Sequence, residues 1–129
     1  MNKADYAASL KPKMNCCQAV LLAYADELGL PPDTLMRLGS AFGSGMATMG
    51  GTCGALVGAE TVLGLLGKQP VRADAKQLFT EFERLCGSTV CKTLKGVGTG
   101  KMLCSCENCV RNAAAIVDEL LATESNPVI

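Results

Sequence analysis

The sequence predicts an all-α protein, a single bundle of about five to six helices spanning residues 1–129. Three observations point there. Apolar residues recur at three- and four-residue steps in several segments. No segment alternates apolar and polar residues with period two, so no strand is expected. Several cysteines directly follow Asn, Ser or Thr, the residues that favour helix starts.

In chain order, a short helix is expected over residues 3–10. Residues 15–28 are apolar almost all round, which predicts a buried central helix. Pro31, Pro32 and Asp33 open a further helix through about Phe42, because proline suits the first helical turn. Gly43, Gly45, Gly50 and Gly51 form a loop, whereas Gly54 and Gly58 share one face of the next helix. A helical glycine costs about 1 kcal/mol relative to alanine. Close approach of a second helix, or of a ligand to the backbone, offsets that cost, and close helix packing is the expected reason here. Ala75, Leu78, Phe79, Phe82, Leu85 and Cys86 make one amphipathic stripe, and Cys109, Val110, Ala113, Ile116, Val117, Leu120 and Leu121 make another. Residues 122–129 read as a tail. The run Gly96, Gly98, Gly100, Lys101 lacks the Ser or Thr, the glycine spacing and the strand of a phosphate loop, and reads as a flexible connector.

Composition removes several functions. Twelve basic and twelve acidic side chains give no basic face for nucleic acid, and three Phe, two Tyr and no Trp give no base-stacking platform. The longest apolar stretch, Ala55 to Gly67, is too short for a bilayer and contains Glu60, so no membrane insertion is expected. An acid at position 5 does not suit a signal peptide. The expectation is a cytoplasmic protein, in which eight cysteines serve metal binding or redox chemistry better than a permanent disulfide framework. The chain has no histidine, which removes Cys-His nucleophiles and the usual zinc-hydrolase ligands.

Asn15 precedes Cys16, Thr52 precedes Cys53, Ser105 precedes Cys106, and Ser88 and Thr89 stand before Cys91. Each of these cysteines is therefore expected in the first turn of a capped helix, and Asn15 with Gln18 approximates a capping box. Free N–H groups and the helix dipole there lower a thiol pKa. Cys17, Cys86 and Cys109 lie on apolar stripes and read as small buried hydrophobes. Cys104 lies in the connector. Cys106 and Cys109 form a Cys-x-x-Cys pair, but without the βαβ context of a disulfide oxidoreductase. Glu60 lies about 10 Å beyond Cys53 along its helix, which places it at a solvated edge or a subunit contact such as a homodimer's.

The string Cys53, Gly54, Ala55, Leu56, Val57, Gly58 carries a Cys-Gly-Ala-x-x-Gly motif. Around it stand Asn15-Cys16 with Gln18-Ala19-Val20, Phe42-Gly43 with Gly45-Met46, Phe82-Glu83 with Gly87-Ser88, and Val110-Arg111 with Ala113-Ala114. Over about residues 6–121 this ordered set resembles the C_GCAxxG_C_C family of redox proteins. The resemblance places the family's four cysteines on Cys16, Cys53, Cys91 and Cys106, and implies a helical domain with a redox or iron–sulfur role. It departs from the family in a shorter connector before Cys106, which makes Cys104 and Cys109 alternative ligands, and in Glu60-Thr61 where apolar residues are usual. Three readings follow: thiol–disulfide or electron-transfer chemistry with a redox partner protein, an iron–sulfur or zinc module, and a helical interaction protein with structural cysteines. Whether the chain is an enzyme is left open by its sequence.

Overall fold

Asn2 starts the first helix by accepting a hydrogen bond from the Asp5 N–H at 2.8 Å, and α1 runs Lys3–Leu10. The computed structural model describes residues 1–125. After a 3-10 turn at Lys11–Lys13, Asn15 opens α2 (Cys16–Ala23) with a complete capping box. Its side chain accepts the Gln18 N–H at 2.8 Å, and the Gln18 side chain accepts the Asn15 N–H at 3.1 Å. There follow α3 (Ala25–Leu28), α4 (Pro32–Gly39), α5 (Gly43–Met46), α6 (Gly54–Leu66), α7 (Arg72–Cys86), α8 (Cys91–Lys95) and α9 (Cys106–Ser125). Among the described residues there is no strand, only an isolated antiparallel bridge between Thr52 and Val90.

The helical class is as expected, but the helices outnumber the expected five to six. Among the described residues six have eight or more residues (α1, α2, α4, α6, α7, α9), α3 and α8 add single turns, and α5 is a left-handed turn with Ser44 and Gly45 at φ 52° and 58°. The helix expected over 15–28 breaks at Tyr24, whose ring is buried and whose hydroxyl reaches Ala114 O at 3.4 Å and Asp118 Oδ1 at 3.2 Å. The helix from Pro32 stops at Gly39, short of Phe42, because Gly39 lies against α2. A Cβ there would stand 3.1 Å from the Gln18 backbone nitrogen, and Asn15 Nδ2 donates to Gly39 O. Helix α9 runs on through Ser125, into the segment expected to be a tail, and residues 126–129 lie outside the described residues.

The long α9 lies against α1, α2, α6 and α7, and α2 lies against α4 and α6. Val20, Leu21, Leu56, Leu63, Phe82, Val110 and Val117 fill the space between them. Gly54 and Gly58 do what their shared face suggests. A Cβ on Gly54 would meet Phe42 O at 2.7 Å and Cys17 N at 3.3 Å, and one on Gly58 would meet Cys17 O at 3.0 Å. The start of α6 is thus laid directly on the backbone of α2.

Gly54→Ala is expected to lose about 1–3 kcal/mol of stability by forcing backbone apart at this contact. Gly64→Ala, whose Cβ would meet nothing within 4 Å, should instead gain about 0.5–1 kcal/mol from helix propensity. Urea denaturation of the two variants checks both signs, and equal effects would contradict the packing account.

Candidate functional site

Four helix starts present Cys16, Cys53, Cys91 and Cys106, though not all by the capping expected. Cys16 is the first residue of α2 behind the Asn15 capping box. Cys106 is the first residue of α9, where Ser105 Oγ accepts the Asn108 N–H at 3.2 Å. Cys53, however, is itself the cap residue of α6, and Thr52 instead pairs with Val90. Its sulfur makes no regular cap hydrogen bond, yet the Ala55 and Leu56 N–H groups face it closely enough to favour the thiolate. Cys91 opens α8 behind Val90, not behind Ser88 or Thr89; Ser88 Oγ only tightens the turn by accepting the Val90 N–H at 3.1 Å.

Cys53 and Cys91 are joined by backbone. Cys53 N–H donates to Thr89 O at 2.8 Å, Cys91 N–H to Gly51 O at 3.0 Å, and Lys92 N–H to Met49 O at 2.8 Å. The segment that makes these bonds is strained, with Ser44, Met46, Ala47 and Met49 all at positive φ between 52° and 67°. Such conformations cost roughly 1–3 kcal/mol each for non-glycine residues and concentrate at functional sites. Gly45 explains why the loop is held so tightly. A Cβ there would stand 2.4 Å from Cys91 Cβ and 3.3 Å from its sulfur. Glycine is the residue that lets the loop pass over Cys91.

All four cysteines border one cavity of about 110 Å³, together with Lys11 and Lys95. Around it the sulfurs stand close enough to share protons. Cys53 neighbours Cys16 and Cys109, Cys16 also neighbours Cys106, Cys86 neighbours Cys109 and Cys104, and the Cys109 thiol donates to Cys104 O at 3.9 Å. Cys91 stands apart from that group, its thiol pushed up by burial and by the negative charge at Cys53.

Thiol donors divide the cysteines into two kinds. The Cys109 and Cys16 thiols and the α6 N–H groups hold Cys53 well below the ordinary thiol range, against the effect of burial. Cys106 is lowered by the Cys16 thiol and, against burial, by the charge of Lys95. Cys16 is raised, chiefly because its proton is held between Cys106 and Cys53. This corrects the expectation that its helix start would make it acidic: the position is right, but flanking thiolates outweigh the dipole. Cys17 is pushed up to about 12 by burial, as an apolar environment requires. Cys86, expected to behave alike, is lowered because the Cys109 thiol and the Asn112 amide both donate to it, the latter at 3.4 Å.

Cys86 and Lys95 are the residues that sequence reasoning missed. The sulfurs of Cys86, Cys104 and Cys109 all lie within 4.8 Å of one another, a trio able to hold a metal ion. No helix start or close cysteine spacing marks Cys86; only the packing of α7 on α9 brings it there. The Cys-x-x-Cys pair is divided, with Cys106 at the cavity and Cys109 in the trio. Lys95 lies one helical turn beyond Cys91, a spacing that does put both on one face. Its Nζ reaches Cys104 O at 3.2 Å and Cys109 Sγ at 3.7 Å. Burial works against its charge, and the sulfurs of Cys109 and Cys106 beside it more than reverse that effect.

Glu60 is half-buried, with one carboxylate oxygen turned inward. It lines a second cavity of about 420 Å³ with Met46, Thr52, Val57 and Phe79, and among the described residues its Oε1 is buried without a hydrogen-bond partner. Burial pushes its carboxyl up to about 7. No helix among the described residues is long and apolar enough to cross a membrane.

A family model described as "Putative redox-active protein (C_GCAxxG_C_C)" matches residues 14–120. No match is found among curated proteins or among solved structures.

Two titrations test this electrostatic picture. In reduced, metal-free protein, Cys53→Ala should remove thiolate absorbance present at neutral pH, whereas Cys17→Ala should remove none; equal losses would contradict it. Glu60 is raised, so the folded state keeps a proton that the unfolded chain has lost, and stability should fall as pH rises from 4.5 to about 7. Glu60→Gln should flatten that slope in a denaturation series across the same window.

Proposed function

Because the chain belongs to the C_GCAxxG_C_C family, we propose that it is an electron carrier whose Cys16, Cys53, Cys91 and Cys106 hold an iron–sulfur cluster. The observation that carries this reading is the cavity of about 110 Å³ that these four sulfurs border. A single tetrahedral zinc, with bonds of about 2.3 Å, would draw four sulfurs to about 3.8 Å apart and leave no void. A void of several atoms' volume walled by four thiols suits a polynuclear centre, and four cysteines are the usual ligands of one.

When bound, such a cluster supplies one-electron oxidation and reduction. The chain's own groups set the conditions. The N–H groups at the start of α6 and the ammonium groups of Lys11 and Lys95 offset negative charge on the sulfurs, which raises a potential. Gly45 allows the strained loop to pass directly over Cys91. Cys106, half-buried where the other seven cysteines are buried, marks the rim nearest an approaching redox partner.

A second reading has its own observation, the position of the Cys16 thiol between the Cys53 and Cys106 sulfurs. In that reading the Cys106 thiolate attacks a partner's disulfide and releases one partner thiolate, forming a mixed disulfide. Cys16, giving up its proton, then attacks Cys106 sulfur and releases the partner's second thiolate. Two electrons pass to the partner, and a Cys16–Cys106 disulfide remains. Neither the cavity nor Cys91 has a part in these steps, which is why the cluster is preferred.

Protein purified without oxygen should contain iron and acid-labile sulfide in equal numbers and absorb in the visible. Cys91→Ala should lose both, and Cys17→Ala should keep both. Colourless, iron-free protein that forms a Cys16–Cys106 disulfide, with Cys91→Ala unaffected, would overturn the cluster in favour of the dithiol.

A further inference from the structure

Behind the cavity, three sulfurs come from separate parts of the chain. Cys86 ends α7, Cys104 ends the connector, and Cys109 lies one turn into α9. Their exposures are 2%, 9% and 0%, and their sulfurs lie within 4.8 Å of one another. The connector is folded to bring this about. The N–H groups of Leu103 and Cys104 both donate to Leu94 O, at 2.9 and 3.3 Å. Gly87 and Gly96 adopt left-handed backbone so that Leu103 and the Lys101 carbonyl can lie against them.

We infer that Cys86, Cys104 and Cys109 form a second centre, distinct from the cavity, that takes one soft d10 metal ion in three-thiolate coordination. Bonds of about 2.3 Å in a trigonal set put the sulfurs about 4.0 Å apart, a spacing the trio nearly has already. All three donors are sulfur, which excludes calcium and magnesium and selects zinc or copper(I). Among the described residues no fourth cysteine or carboxylate joins them within that distance, which suits an ion that accepts three ligands or keeps one position open. Partners for the ligands are in place: Asn112 Nδ2 donates to Cys86 Sγ at 3.4 Å, and the Lys95 ammonium lies 3.7 Å from Cys109 Sγ, where it offsets part of the thiolate charge. A disulfide would use two of these sulfurs and leave the third without a role. The inference does not rest on the iron–sulfur reading, since it shares no cysteine with it.

The test is an oxygen-free titration of the reduced full-length protein with zinc in one arm and copper(I) in the other, each against a competing chelator. Cys91→Ala, whose cavity has lost one of its four thiols, should still bind one equivalent in at least one arm, and the stronger arm identifies the ion. Cys104→Ala, which changes the least buried of the three, should bind more than about a hundredfold more weakly, since losing a ligand costs more than losing a ligand's hydrogen bond. X-ray absorption of the native chain loaded with one equivalent needs no variant and should show a first shell dominated by sulfur. Absence of stoichiometric binding in both arms, binding unchanged by Cys104→Ala, binding lost in Cys91→Ala, or a shell of nitrogen and oxygen would each overturn the second centre. Iron and sulfide content reports on the cavity separately, so failure of one centre is not failure of the other.

Discussion

Everything at the candidate site depends on one close contact, the laying of α6 backbone on α2 backbone at Cys17. Gly54 and Gly58 permit it, because a Cβ on Gly54 would stand 3.3 Å from Cys17 N and one on Gly58 3.0 Å from Cys17 O. With that contact made, the start of α6 comes beside the start of α2, and Cys53 beside Cys16. The strained loop before α6 and the turn before α8 then carry Cys91 to the other wall. Helix α9, packed on α1, α2, α6 and α7, brings Cys106 to the rim and Cys109 behind it. A packing constraint therefore sets the positions of the sulfurs, and the chemistry inherits them.

Crowding then determines charge. Isolated at a helix N-terminus, each thiol would tend to ionise. Packed together, the thiols instead share protons, with Cys16 and Cys109 held as donors and Cys53, Cys86 and Cys106 favoured as acceptors. Lys95 stands among them and keeps its charge despite burial. A thiolate kept from water costs desolvation unless a cation stands beside it. Metal ions relieve that cost by replacing the shared protons, which gives both proposed centres a common physical reason.

Much of this was legible in the sequence, and the exceptions have causes. The capping box at Asn15, the cap at Ser105, the first helix over 3–10 and the glycine face of α6 are local patterns, and the structure has each of them. Thr52 misleads because it sits in a backbone bridge to the distant Val90, and Ser88 because its hydroxyl closes a local turn ahead of α8 instead of capping the helix. The α6 N–H groups that help lower Cys53 follow from its helix, whereas the larger effect of Cys109 and Cys16 on it, like the reversal at Cys16 and Cys86, arises from neighbours that only the fold assembles. Glu60 was read by its distance from Cys53, but its environment is set by the cavity it shares with Met46 and Phe79.

The central claim is that Cys16, Cys53, Cys91 and Cys106 surround one iron-containing group. Anomalous diffraction at the iron edge, from crystals grown without oxygen, tests it most directly. The account predicts anomalous density inside the cavity, bonded to all four sulfurs, with the Cys91 loop closed over it. A cavity without iron and a covalent bond between Cys16 and either neighbouring sulfur would contradict it.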